Sequence, residues 1–413
     1  MGKTVLHHSL VYSPLPPHLL ADANKLYRLA EESGLEQEMQ TLFDGSEEWS
    51  IQQAYLHLQM QSLAAFQTQR RRQIPLLSNF LETLAEHIEL DKAQTRYPQN
   101  ETWLGIHPEQ DSPPQNWQQF SPAQRRSLRV FNLDNIQPQL MRAEKSAPES
   151  LAREMETQVL RRKSISRVFE QLQGDVSRRS QRMICHHQIA AQPGIKEIHA
   201  LLARKVVRRG KQATTDSVDY AESWRVINSS QQGVCLQWDG GRASDLQVGE
   251  LIALLPSSET TDSIHSSPLS TDNKADKLSS IQIGAVVWVE YRCENILQCG
   301  VEIISDEVAA VLVEGTTANT EGSRLECLLS IQTPSIAPSL TTKHSGDLSG
   351  AEETKDSLPQ RTLMAPPHTF QESGSLRVHH RGKSSDWLVK SRLNCAGGFD
   401  FFELAPRTIN PAG

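Results

Sequence analysis

Arg178-Arg179-Ser180-Gln181-Arg182, followed about 45 residues later by Asn228-Ser229-Ser230-Gln231-Gln232-Gly233, is the stretch on which the reading of this chain turns. The first part is an R-x-x-x-R pair. The second is an N-x-S-x-x-G turn, built from residue types that close tight turns. Beyond the turn, apolar residues recur with period two: Val234, Leu236 and Trp238; Ile281, Ile283, Ala285, Val287, Val289 and Tyr291; Cys299, Val301 and Ile303. Such alternation predicts half-buried strands. Between the two motifs, Arg182 to Ile189 predicts a first strand, which Pro193-Gly194 breaks. Ile195, Ile198, Leu201, Leu202 and Val206 then predict a short helix ending near Gly210.

Working outward, the first hundred or so residues change period. Leu19, Ala23, Leu26, Tyr27 and Ala30 recur at helical spacing, as do Ile51, Tyr55, Leu58, Ser62 and Phe66, and then Leu77, Phe80, Leu81, Leu84 and Ile88. With Gln and Glu on the other faces, residues 1–97 predict a helical module. Residues 98–150, with Pro98, Pro108, Pro113, Pro114 and Pro122 and the tryptophans Trp103 and Trp117, read as a linker or irregular excursion. Met155, Val159, Val168, Phe169 and Leu172 predict a connecting helix over 151–175. The strand-rich block is bounded at 176–315, with the Ser/Thr/Asp-rich 256–280 as a disordered loop inside it. Residues 316–360 read as a flexible linker, and 361–413 as a small β subdomain or as extra strands. No clean internal repeat stands out. The fold class expected is α+β.

Composition narrows the function. The chain has 413 residues, 38% hydrophobic and 6% aromatic, and a net charge of −7. Residues 161–211 carry 13 Lys and Arg against 3 Asp and Glu, a local +10, so the remainder sums to −17. A basic segment in an acidic chain points to a local anionic partner rather than to bulk coating of nucleic acid. The bland alternative is a solvated face paired with acidic neighbours. Six cysteines without a C-x-x-C spacing, no apolar stretch after Met1 of the kind a secretory leader needs, and no run approaching about 20 apolar residues together predict a cytoplasmic protein without a membrane span.

The order of basic hook, polar turn and short strands, ending in Gly284-Ala285-Val286-Val287-Trp288-Val289 and Gly300-Val301-Glu302-Ile303-Ile304, resembles the bacterial PilZ domain, a family of cyclic di-GMP receptors. The resemblance implies an antiparallel β-barrel. It also implies that Arg178 and Arg182 grip the ligand, with Arg179 adding attraction, that Asn228 bonds a guanine edge, that Ser230 meets a phosphate or base, and that Gly233 allows a sharp turn close to the ligand. Arginine suits this chemistry. Its planar fork pairs with guanine O6 and N7, stacks on a base and holds phosphate oxygens, whereas lysine is a compact point charge. Trp224 reads as barrel packing. The resemblance covers about a third of the chain, and two features depart from it: the gap between the motifs is long, and Val287 stands where relatives often carry Arg. The layout, with leading helices and a late barrel, is similar to that of FimW-type receptors of pilus-driven surface attachment. That likeness implies a protein partner in such an apparatus, with recruitment to the cell pole or the inner-membrane machinery.

Other constellations carry less. His186-His187 and His379-His380 are adjacent pairs, and adjacent strand residues point to opposite faces, so neither pair chelates a metal by itself. Arg70-Arg71-Arg72 reads as a solvated face, with a partner surface as the lesser reading. There is no P-loop, G-x-S-x-G or H-E-x-x-H. No catalytic residues, metal or catalytic cofactor are therefore expected. Two other readings compete with the receptor: an interaction scaffold whose barrel binds no ligand, and a nucleic-acid binder using residues 161–211.

Overall fold

A computed structural model of the chain describes residues 1–41, 48–93, 97, 103–132, 182–208, 222–230, 232–240, 246–255, 281–293, 296–315, 324–330, 361–367, 369–395 and 398–407. The connecting helix expected over 151–175, the arginines Arg178 and Arg179, and the loop expected over 256–280 lie outside the described residues. The chain forms two compact units, one N-terminal and one beginning at Ser180.

The N-terminal unit is built on helices α1 (Gly2–Leu10), α2 (Leu19–Glu32), α3 (Ile51–Leu63) and α4 (Ile74–Ala85). Strands β1 (Met39–Thr41) and β2 (Glu48–Ser50) form a short antiparallel pair ahead of α3. Local chemistry sets the helix ends. Ser50 and Gln53 close a capping box at α3, bonding reciprocally to two otherwise orphaned N–H groups. Pro75 occupies the first turn of α4, where a missing N–H costs nothing. Inside, Tyr27 stacks on Tyr55 at 4.3 Å, and the Asn24 carbonyl oxygen accepts from both the Tyr55 hydroxyl and Gln59 Nε2. Leu26, placed by its spacing among the core positions, is instead 57% exposed. Arg70 is buried just ahead of α4 rather than on a solvated helical face, and Arg71 lies 5.5 Å from the centre of the Tyr12 ring.

The expected linker is in part a folded sheet. Strands β3 (Asp91–Lys92), β4 (Trp103–Ile106), β5 (Gln115–Asn116) and β6 (Arg129–Asn132) pair in the order β3-β6-β4-β5, and a short helix α5 (Pro122–Arg125) precedes β6. The prolines sit between short elements, and the aromatic residues make a core: Trp117 and Phe120 pack with Leu128 and Val130. Side chains from both sides tie this segment to α2, among them Asn24 Nδ2, which donates to the His107 and Gln110 carbonyls at 3.1 and 3.0 Å. Arg129 Nε donates to Glu31 at 2.8 Å. Asp111 accepts from the backbone N–H groups of His18, Leu20 and Ala21 at 2.7, 3.0 and 3.1 Å, capping α2 from outside.

Burial pushes the Asp111 carboxyl up, but the three N–H donors outweigh it and hold the group below its usual range. Its contribution is therefore complete above the unfolded carboxylate pKa and fades as pH falls through the lowered value. Asp111→Ala is expected to cost about 1 kcal/mol at neutral pH, with the loss disappearing in acid. Denaturant midpoints of the two proteins across pH would check this.

The second unit holds two closed antiparallel barrels. The first comprises β7 (Met183–Pro193), β8 (Glu222–Ser229), β9 (Gly233–Trp238), β10 (Leu251–Leu255), β11 (Gln282–Cys293) and β12 (Ile296–Ser305), in the order β10-β11-β12-β9-β8-β7. Between β7 and β8 runs helix α6 (Ile195–Arg208), entered through Gly194 at φ +92°, a conformation that favours glycine. The second comprises β13 (Val308–Gly315), β14 (Arg324–Ser330), β15 (Arg361–Ala365), β16 (Ser375–His380), β17 (Lys383–Cys395) and β18 (Asp400–Pro406), in the order β13-β14-β15-β18-β17-β16. Arg381 and Gly382, both at positive φ, make the two-residue β16–β17 hairpin.

This corrects the expected boundaries. Residues 308–315 leave the first barrel for the second. Residues 324–330, expected within a linker, form a strand. The last block neither stands alone nor completes the first barrel, but closes a second one. Numbered from its own first strand, each barrel runs first, second, third, sixth, fifth, fourth, with the first strand closing on the fourth. That repeat lies in the pairing and not in the residues, so the sequence carries no trace of it.

Candidate functional site

Strand register decides what the basic hook can reach. β7 and β8 run antiparallel with Met183 opposite Ser229 and Ile184 opposite Asn228. Carried one residue further, the same register sets Arg182 alongside Ser230. The exposed Arg182 thus enters the barrel at the N-x-S-x-x-G turn, although about 45 residues of chain separate them. Register irregularities fall between Ile184 and His187 on β7 and between Val226 and Asn228 on β8. Bulges of this kind re-aim side chains at the ends of barrels.

The turn is closed by its own groups. Ser230 N–H donates to the Gly233 carbonyl at 2.8 Å, and the Ser230 hydroxyl reaches the same oxygen at 3.2 Å. Ile303 N–H donates to the Gln232 carbonyl at 2.9 Å, fastening the turn to β12. Gly233 has a reason other than a left-handed turn: a Cβ there would run into the Val301 carbonyl on the neighbouring strand. Its absent side chain permits two backbones to approach.

Directly paired residues of adjacent strands share a face of the sheet. Ile184 pairs with Asn228, Asn228 with Cys235, and Cys235 with Gly300. One row therefore crosses β7, β8, β9 and β12. The indole of Trp288 on β11 lies against Gly300, where any side chain would displace it. At about 4.8 Å per strand, a half-buried ring stands about 10 Å from Asn228 on the same face. Along that face Arg225 donates to Asp239 at 3.1 Å, Gln237 to Asp239 at 2.9 Å, and Gln298 to Gln237 at 2.9 Å. The row offers polar donors and acceptors, an aromatic surface and a cation at its mouth.

Sequence reading singled out Arg182, Asn228, Ser230 and Gly233, and the register brings them to one end of one barrel. It left Trp288 as a strand marker. The available signal was Gly300, a glycine inside a strand, which often marks close packing. Trp224 is 1% exposed and stacks on Trp238 inside the barrel. Cys299 is fully buried, and burial pushes its thiol up, so it is an unreactive filler. Among the described residues no group of three His, Cys, Asp or Glu side chains could hold a metal ion. His186 and His187 are both exposed, while His379 lies 3.2 Å from Glu314.

The N-terminal helices supply the second line of evidence. Residues 1–95 match the family described as "Cyclic-di-GMP receptor FimW, N-terminal domain". The first 95 residues are thus similar to that domain. The match spans α1 to α4 and β3 and stops before β4, so β4, β5 and β6 lie outside the matched part. No curated protein and no solved structure matches the chain. No helix among the described residues is long and apolar enough to cross a membrane.

Proposed function

We propose that this chain is a cyclic-di-GMP receptor whose ligand binds at the hook-and-turn end of the first barrel, a barrel of the PilZ kind. The observation that supports the reading is the β7–β8 register, which pairs Met183 with Ser229 and so leads from Arg182 toward the N-x-S-x-x-G turn, in a chain whose residues 1–95 are similar to the FimW N-terminal domain. Arg178 and Arg182 hold guanine and phosphate by forked, charge-assisted bonds, and Arg179 adds attraction. Asn228 bonds a guanine edge. Ser230 turns its hydroxyl from the Gly233 carbonyl to a phosphate oxygen. Trp288 offers a face on which a base stacks.

The protein acts by binding and not by catalysis. Ligand capture folds the hook onto the barrel and alters what the FimW domain presents to a protein partner. The family likeness favours a partner in pilus-driven surface attachment, met in the bacterial cytoplasm at the pole or the inner-membrane machinery.

Calorimetric titration with cyclic di-GMP, cyclic di-AMP and a random oligonucleotide tests this. The expected result is micromolar or tighter binding of the guanine dinucleotide alone, with quenching of tryptophan fluorescence that Trp288→Leu removes. Equal binding of every anion, falling steeply with salt, would identify a nucleic-acid binder instead. No heat from any of them would leave an interaction scaffold.

A further inference from the structure

We infer that the second barrel is a fold repeat of the first whose described residues lack an anion-receiving end, so that the chain takes ligand at one barrel only and the two barrels act as one rigid body. The ligand half of this inference rests on the reading just proposed.

The repeat is topological. Both barrels share the order first, second, third, sixth, fifth, fourth, which makes their ends comparable position by position. In the first barrel the ligand end consists of residues preceding the first strand and a tight connection from second strand to third. Arg182 directly precedes β7, and the connection runs from Ser230 to Gln232. In the second barrel Ser305-Asp306-Glu307 precede the first strand, and the second-to-third connection runs from Ser330 to Arg361. Two carboxylates stand where the hook would be, and they oppose a ligand bearing two phosphates. Ser305 and Ser330, 8% and 1% exposed, bond to each other through their hydroxyls at 3.0 Å. A cation that does lie at this end, Arg361, sits 5.0 Å over the Trp387 ring.

Packing supports the second half. A single apolar cluster holds Ile198 and Leu202 of α6, Ile283 of the first barrel, and Leu328, Met364 and Phe401 of the second. Only Asp306 and Glu307 separate β12 from β13. A shared core with so short a join leaves no hinge between the barrels.

The test uses the full chain. Calorimetry with cyclic di-GMP on the wild type, Arg182→Ala and Arg361→Ala reads the number of sites. All heat should vanish in Arg182→Ala, while Arg361→Ala keeps the same count and a Kd within about twofold. A count of two that Arg182→Ala abolishes entirely still assigns both ligands to the first barrel. Residual binding in Arg182→Ala that Arg361→Ala removes would overturn the inference. A wild type that binds nothing would sink the proposed function instead, and hydrogen exchange on the ligand-free chain then judges the rigid body. Phe401→Leu, and Met364→Ala as a second variant, should lower amide protection at least about tenfold in β10, β11 and α6 as well as in β18. Loss confined to the second barrel would refute the shared unit.

Discussion

Arg182→Ala is expected to raise the Kd for cyclic di-GMP at least about 30-fold, about 2 kcal/mol, because truncating one partner of a hydrogen-bonded charge pair costs about that much or more. Arg182 lies at the entry to β7, one residue before Met183, which pairs with Ser229 at the end of β8 next to Ser230. Its guanidinium is the described cation nearest the turn along that register. Arg182→Lys should recover little, since an ammonium lacks the fork that meets guanine O6 and N7 together. The side chain is exposed, so the unfolding midpoint should move by no more than about 0.5 kcal/mol of stability. Calorimetry beside thermal unfolding separates the two effects. Unchanged affinity with an intact fold would refute the site.

Arg392→Ala is expected to destabilise the second unit by about 3 kcal/mol at neutral pH, the cost of breaking a buried pair from one side. Asp400, at the start of β18, is completely buried, and Arg392 Nη2 reaches its carboxylate at 2.7 Å. Without the guanidinium the carboxylate stays in the core and loses its cationic partner. Urea unfolding of the variant beside the wild type should show this as a lowered midpoint, and equal midpoints would refute it.

Local patterns were readable where one segment determines its own structure. The period-two runs became β9, β11 and β12, Pro193-Gly194 ended β7, and Ile195 to Val206 became α6. The proposed site residues were picked out because turn chemistry and arginine clusters are local signals. Partnership was not. β13 looks like a continuation of the first barrel because it follows β12 by two residues, and only pairing with β14 and β16 assigns it elsewhere. The sheet at 91–132 hid behind prolines, since its strands have two to four residues and their stability comes from Trp117 and Phe120 rather than from alternation. Trp288 escaped notice because its neighbour on the face, Gly300, belongs to another strand.

Each barrel closes by joining its first strand to its fourth: Pro193 meets Ile252, and Leu312 meets His379. The partners lie about 60 residues apart along the chain, and loops of that length must be closed before their contacts contribute. Proteins dominated by such distant pairings fold in milliseconds to seconds rather than microseconds. During that interval the edges of β7, β10, β13 and β16 stand unpaired, open to the wrong strand of a near-identical arrangement in the same molecule. For this chain the hazard in production is barrel exchange during folding, and slow, dilute refolding is the condition that favours the native pairing.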